Sequence, residues 1–130
     1  MASYAIDDLL LDRELERLSS RMGFVQTLKI PQGGALNLNV GKLTISLELA
    51  ADNKCLLVSS SKAITPQDEY LVEKALAYSA YKQAHFKVLT ASYVEPYLIF
   101  TFFFRSEELN AEHLERAFLE LVHINEEIFS

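Results

Sequence analysis

Between Leu36 and Ala50 the chain reads LNLNVGKLTISLELA, with apolar residues on alternate positions: Leu36, Leu38 and Val40, then Leu43, Ile45, Leu47 and Leu49. Asn37, Asn39, Thr44, Ser46 and Glu48 fill the positions between them. Successive strand side chains point to opposite faces, so this run requires a sheet with one face in a core and the other toward water. Gly41 divides the run, as a turn or as a bulge. Phe24 to Ile30 reads as a further strand ahead of it, ended by Pro31 and Gly33-Gly34, and Asp52-Asn53 turns the chain into a short strand from Cys55 to Ser59.

Helical periodicity frames these strands. From about Asp7 to Met22, Leu11, Leu15, Leu18 and Met22 share one stripe, and Gly23 is placed to cap the helix in the left-handed region. Thr65-Pro66-Gln67-Asp68 opens a second helix running to about Gln83, with Thr65 as cap and Pro66 at the first helical position. Two strands follow, Lys87 to Val94 and Tyr97 to Phe104, turned by Glu95-Pro96. A last helix from Asn110 to about Phe129 aligns Leu114, Phe118, Leu121, Val122 and Ile128. Hairpin-length connections argue for an antiparallel α+β sheet of about five strands with three helices, in the order α-βββ-α-ββ-α. At 130 residues with half of them hydrophobic, the chain reads as one domain spanning 1–130.

Some apolar surface has no evident partner inside such a domain. Both alternating faces of Tyr97-Leu98-Ile99-Phe100-Thr101-Phe102-Phe103-Phe104 are apolar, yet three helices suffice to cover only one side of the sheet. In the second helix Leu71, Val72, Ala75 and Leu76 point one way while Tyr70, Ala77, Tyr78 and Tyr81 populate the reverse side, and tyrosines suit partly wet contacts. These features predict a homodimer interface through Tyr70, Ala77, Tyr78, Tyr81, Tyr97, Ile99 and Phe103. The alternatives are a strand sandwiched between helices of the same chain and tyrosine rings lying along a monomer surface. At the start of the first helix, Ile6, Leu9 and Leu10 project away from the core stripe. Together with Leu38, Leu43 and Ile45 of the alternating strands they form an apolar patch expected to bind a partner, where an extended segment adds apolar side chains and main-chain bonds.

Chemistry is sparse. Twelve Lys and Arg against 18 Asp and Glu leave a net charge of −6, which disfavours nucleic acid as a partner. One Cys forms no internal disulfide, and no apolar run approaches the length of a membrane span, so a cytoplasmic protein without membrane insertion is expected. Cys55 lies in an alternating strand with no neighbouring His, as a core residue does. His85 follows the end of a helix, where a cation meets the dipole favourably. His113 and His123 are ten positions apart on one helix, about 280° around its axis, and share no face for a metal. Glu120 and His123 have a di-iron spacing but lack the second such pair. Gly33-Gly34 has no phosphate-loop context. No catalytic, cofactor or metal residue is assigned, and a non-enzyme is expected.

The acidic chain, its element order, the runs LNLNVGKLTISLEL, CLLVS, ITPQDEYLVEKAL and LNAEHLERAFLELV, and the missing active site together resemble the class I type III secretion chaperones. The stretch AYSAYKQAHF lacks the Asn typical near the end of that family's second helix. The pattern is equally similar to YbjN-like putative regulators, which would make the protein an adaptor acting through protein–protein binding. The chaperone resemblance implies a cytosolic homodimer, built around the middle helix and the late strands, that holds an effector or other client segment in a non-globular form.

Overall fold

The computed structural model describes residues 5–50, 52–81 and 89–129. Helix α1 (Asp8–Met22) begins where the Asp7 carboxylate accepts the Leu9 N–H at 3.1 Å. It ends at Gly23, whose φ of 72° lets its own N–H reach Ser20 O and that of Phe24 reach Ser19 O. Leu11, Leu15 and Leu18 are buried, as their spacing requires. Strands β1 (Ala35–Val40), β2 (Leu43–Ala50) and β3 (Cys55–Ala63) follow, then α2 (Tyr70–Tyr81), β4 (Leu89–Val94), β5 (Tyr97–Arg105) and α3 (Ala111–Phe129).

The five strands pair antiparallel in the order β1-β2-β3-β5-β4. Gly41 and Lys42 form a two-residue turn, since Val40 pairs with Leu43 and Gly41 takes φ 64°. Gly41 is therefore a turn and not a bulge. The register aligns Leu38 with Ile45, Leu47 with Val58, Val58 with Phe102 and Phe102 with Leu89, which sets one continuous apolar layer under the helices. Leu98, Phe100, Phe102 and Phe104 are wholly buried in it, each contributing roughly 1.5 to 3 kcal/mol by burial. From above, α3 supplies Ala111, Leu114, Ala117, Phe118, Leu121, Ile124 and Ile128. Helix α2 adds Leu71 and Ala75 on the β4 side.

Three expectations are corrected. Phe24 to Ile30 is not a strand: the Ser19 hydroxyl donates to the carbonyls of Phe24 (3.4 Å) and Gln26 (2.9 Å), acceptors that a ladder would otherwise use. Leu28 is buried and Phe24 tilts against Phe118, but Val25 points fully into water, so no alternation is realised. The strand from Cys55 does not stop at Ser59 but runs to Ala63. Because β3 lies between β2 and β5, its backbone is bonded on both sides and tolerates the polar Ser59-Ser60-Ser61 run. The second helix does not begin at Pro66, which opens a 3-10 turn to Asp68; Thr65 makes no capping bond and its hydroxyl donates to the Asp68 carboxylate instead. The expected helix end at Gln83 and the start of the strand at Lys87 lie outside the described residues.

Candidate functional site

The titratable groups stay dispersed. Among the described residues no group of three or more His, Cys, Asp and Glu is placed to hold a metal. Cys55 is half-buried opposite Arg105, on the sheet face away from the helices. His113 Nδ1 lies 3.2 Å from Asn110 Nδ2 and 2.9 Å from the Glu108 carbonyl, fixed at the start of α3. His123 is exposed, Glu120 accepts from Arg116 Nε at 3.3 Å, and His85 lies outside the described residues. No helix among the described residues is long and apolar enough to cross a membrane. What the fold does present is exposed apolar side chains, among them one group at the start of α1 and another on the open sheet face.

The first lies at the start of α1. Leu9 is 78% exposed and Leu10 is half-buried against the core. Beside them lies a groove of about 390 Å³ with a mostly polar lining, in which Asp8, Asp12, Lys29, Gln32 and Asn53 join the apolar Leu11, Ile30, Pro31 and Leu49. Ile6 is a correction: it is buried, and its N–H bonds the Asn53 carbonyl at 2.6 Å. Ile6 precedes the cap Asp7 and so is not helical. It occupies the N′ position of a hydrophobic staple with Leu11 at N4, which is equally buried. Leu43 and Ile45 are also corrected, because period two puts both in the layer beneath the helices, on the opposite face from the open surface. Leu38, on the edge strand β1, is half-buried and packs on the same core.

The second lies on the helix-free face of the sheet. Its β1–β3 half is polar and internally bonded: Ser46 Oγ donates to Asn37 Oδ1 at 2.6 Å, Thr44 Oγ1 to Asn39 Oδ1 at 3.3 Å, and Ser59 and Thr101 hydroxyls meet at 3.0 Å. Its β5–β4 half carries the larger apolar side chains, Tyr97, Ile99 and Phe103 in one column of β5 interrupted by Thr101, with Val94 paired to Tyr97, Ser92 to Ile99 and Thr90 to Thr101, while Leu57 of β3 pairs with Phe103. Tyr97 and Phe103 are each almost half exposed. On α2, Tyr70 (72% exposed) and Ala77 face water while Leu71 and Ala75 turn inward. The side chains of Tyr78 and Tyr81 lie outside what is described.

This architecture has known counterparts. The chain superposes on a chain of the ExsC–ExsE complex with a TM-score of 0.68, at 18% identity over 88% of this chain and 87% of the other. It superposes on the Yersinia pestis type III secretion chaperone SycH, solved with a stable fragment of YscM2, with a TM-score of 0.66 at 13% identity over 86% and 93%. The fold is that of a type III secretion chaperone. The HopA1–SchA chaperone–effector complex gives a TM-score of 0.63 at 17% identity over 88% and 89%. No protein-family model and no curated protein matches the sequence. The chaperone fold confirms the α+β class and the α-βββ-α-ββ-α order read from the residues.

Signals for two further residues went unread. Glu14 sits on the buried stripe of α1 between Leu11 and Leu18, and Asn125 on that of α3 between Leu121 and Ile128. A polar residue at a core position of a helix is the mark of an internal partner. Glu14 finds the N-terminus of α3 and Asn125 finds Ser60.

Proposed function

We propose that the protein is a non-enzymatic homodimeric chaperone that binds an effector or other client protein in a non-globular form for type III secretion. The observation carrying this reading is the chaperone fold combined with apolar surface that the chain does not cover itself, at Leu9 and on the β5–β4 half of the open sheet face. In this reading residues 1–130 act as one chaperone-like domain in the cytoplasm, without cofactor or metal. Leu9 and Leu10, the adjoining groove and Leu38 on the sheet edge receive the client, as an extended segment with apolar side chains. Tyr70, Ala77, Tyr78, Tyr81, Tyr97, Ile99 and Phe103 meet the second subunit, whose approach buries an apolar column and a tyrosine-rich helix face.

Purification of the tagged chain from native lysate tests the proposal. One co-purifying polypeptide in stoichiometric amount, lost when Leu9 is changed to Asp in a variant that stays folded, supports it. A chain that purifies alone, or turns over a small-molecule substrate, refutes it.

A further inference from the structure

At the opposite end of β2 from the α1 groove, the last turns of α3 and the β1–β2 turn border an open cavity of about 470 Å³. Its walls are apolar, from Val40, Leu43, Val122 and Phe129. Lys42 and Lys62 stand at its rim, with Glu126 as its one carboxylate. The Lys62 ammonium is held 3.9 Å from the centroid of the Phe129 ring, and among the described residues neither lysine is in an ion pair. Across Lys62 and Phe129 a second depression adds Lys74, with Asp68 opposite. The cavity is also lined by Asn125, which is more than nine-tenths buried. Its Nδ2 donates to Ser60 Oγ at 3.0 Å and to the Leu121 carbonyl at 2.7 Å, while its Oδ1 has no donor.

We propose that this cavity binds an extended peptide segment in which apolar side chains alternate with carboxylates. The volume lies within the range of ligand pockets, roughly 300 to 1,000 Å³, and the walls offer apolar side chains a mainly apolar contact surface. The chain as a whole carries −6 and repels anions, whereas the lining of this apolar cavity holds two lysines against one carboxylate, Glu126, and so favours a carboxylate placed there. Stacking on Phe129 fixes the Lys62 cation before the ligand arrives, which lowers the ordering cost of the contact. The site is separate from the α1 groove and does not depend on the client being a secreted effector.

The test uses the full chain and two fluorescein-labelled, acetylated peptides, one repeating Glu-Leu-Phe and the other Gln-Leu-Phe, followed by fluorescence anisotropy. Saturable binding of the Glu peptide is expected, weakened roughly tenfold in the Gln peptide or by Lys42→Glu with Lys62→Glu, and weakened by added salt. Lys42 lies in an exposed turn, so Lys42→Glu alone provides a folded variant that also weakens binding, and Lys62→Arg retains it. No binding to the wild type, equal binding of the two peptides, or binding indifferent to both lysines overturns the proposal. Leu9→Asp should leave peptide binding unchanged. A chain that loses its co-purified client but keeps the peptide, or the reverse, therefore shows which of the two proposals fails.

Discussion

The Glu14 carboxylate of α1 accepts the backbone N–H of Ala111, the first residue of α3, at 2.9 Å across 97 positions of sequence. The first N–H groups of a helix have no partner within it, and a buried carboxylate there meets both the orphan donor and the positive end of the dipole. Glu14 is only 2% exposed, yet its second oxygen accepts from Arg13 Nε at 3.1 Å and its first also from Arg17 Nη1 at 3.0 Å. Asn110 completes the cap by accepting the His113 N–H at 2.8 Å. The Glu14 side chain thus ties α1 to α3, alongside the Arg21–Glu115 ion pair at 2.8 Å.

Glu14→Ala should cost about 1 to 3 kcal/mol in urea unfolding, because the Ala111 N–H is left buried without an acceptor. Arg13→Ala and Arg17→Ala should cost far less, since both guanidinium groups are largely in water.

The same carboxylate predicts a pH dependence. Burial pushes its pKa up, but the Ala111 N–H, Arg13 and Arg17 outweigh burial and hold it below the ordinary carboxylate range. A depressed folded-state pKa contributes stability that is present above the unfolded-state value and lost as pH falls through the folded-state one. The stability gap between wild type and Glu14→Gln should therefore be constant near neutrality and shrink on acidification below about pH 4. A gap unchanged down to the acid transition would contradict the assignment.

Asn125 and Ser60 form a polar pair inside an apolar core, and one acceptor of the pair is unmatched. Asn125→Ala should destabilise by about 1 to 3 kcal/mol through the cavity and the stranded Ser60 hydroxyl. The double change Asn125→Leu with Ser60→Ala should be neutral or stabilising, as replacement of both members of such a pair by apolar groups commonly is. Thermal unfolding of the three variants checks the order.

Ile6 and Leu9 should respond in opposite ways. Ile6→Asp buries a charge and should cost several kcal/mol, whereas Leu9→Asp changes a side chain already in water and should stay within about 0.5 kcal/mol of wild type.

Light scattering should read twice 14.7 kDa, and Ala77→Glu or Phe103→Glu should return the monomer with its helices intact, because both sites face out of the subunit. A wild-type monomer at tens of micromolar, on the order of cellular complex concentrations, would remove the dimer from the account.

Those residues also mark what could be read from sequence. Period two in Leu36–Leu49, the stripe of α3 and Gly23 after α1 each report a local rule that the fold obeys, so the elements and their order were legible. Phe24 to Ile30 was not, because a hydroxyl from the preceding helix takes two of its carbonyls, a contact that periodicity does not encode. Ile6 departs from the helical projection because the helix begins only after the cap at Asp7. Leu43 and Ile45 follow their own alternation into the core and away from the open surface. The open column Tyr97, Ile99 and Phe103 was visible in a strand apolar on both faces, since only one face is covered by helices.

The central claim is that this chain holds a partner polypeptide without that partner's bound segment folding into a globule. Hydrogen–deuterium exchange on the complex purified from native lysate tests it most directly. The account predicts protection at Leu9, Leu10 and the adjoining groove, together with a client segment protected only where it touches the chain and exchanging freely between contacts. A client protected cooperatively as a folded domain, or a complex that leaves the start of α1 unprotected, would contradict it.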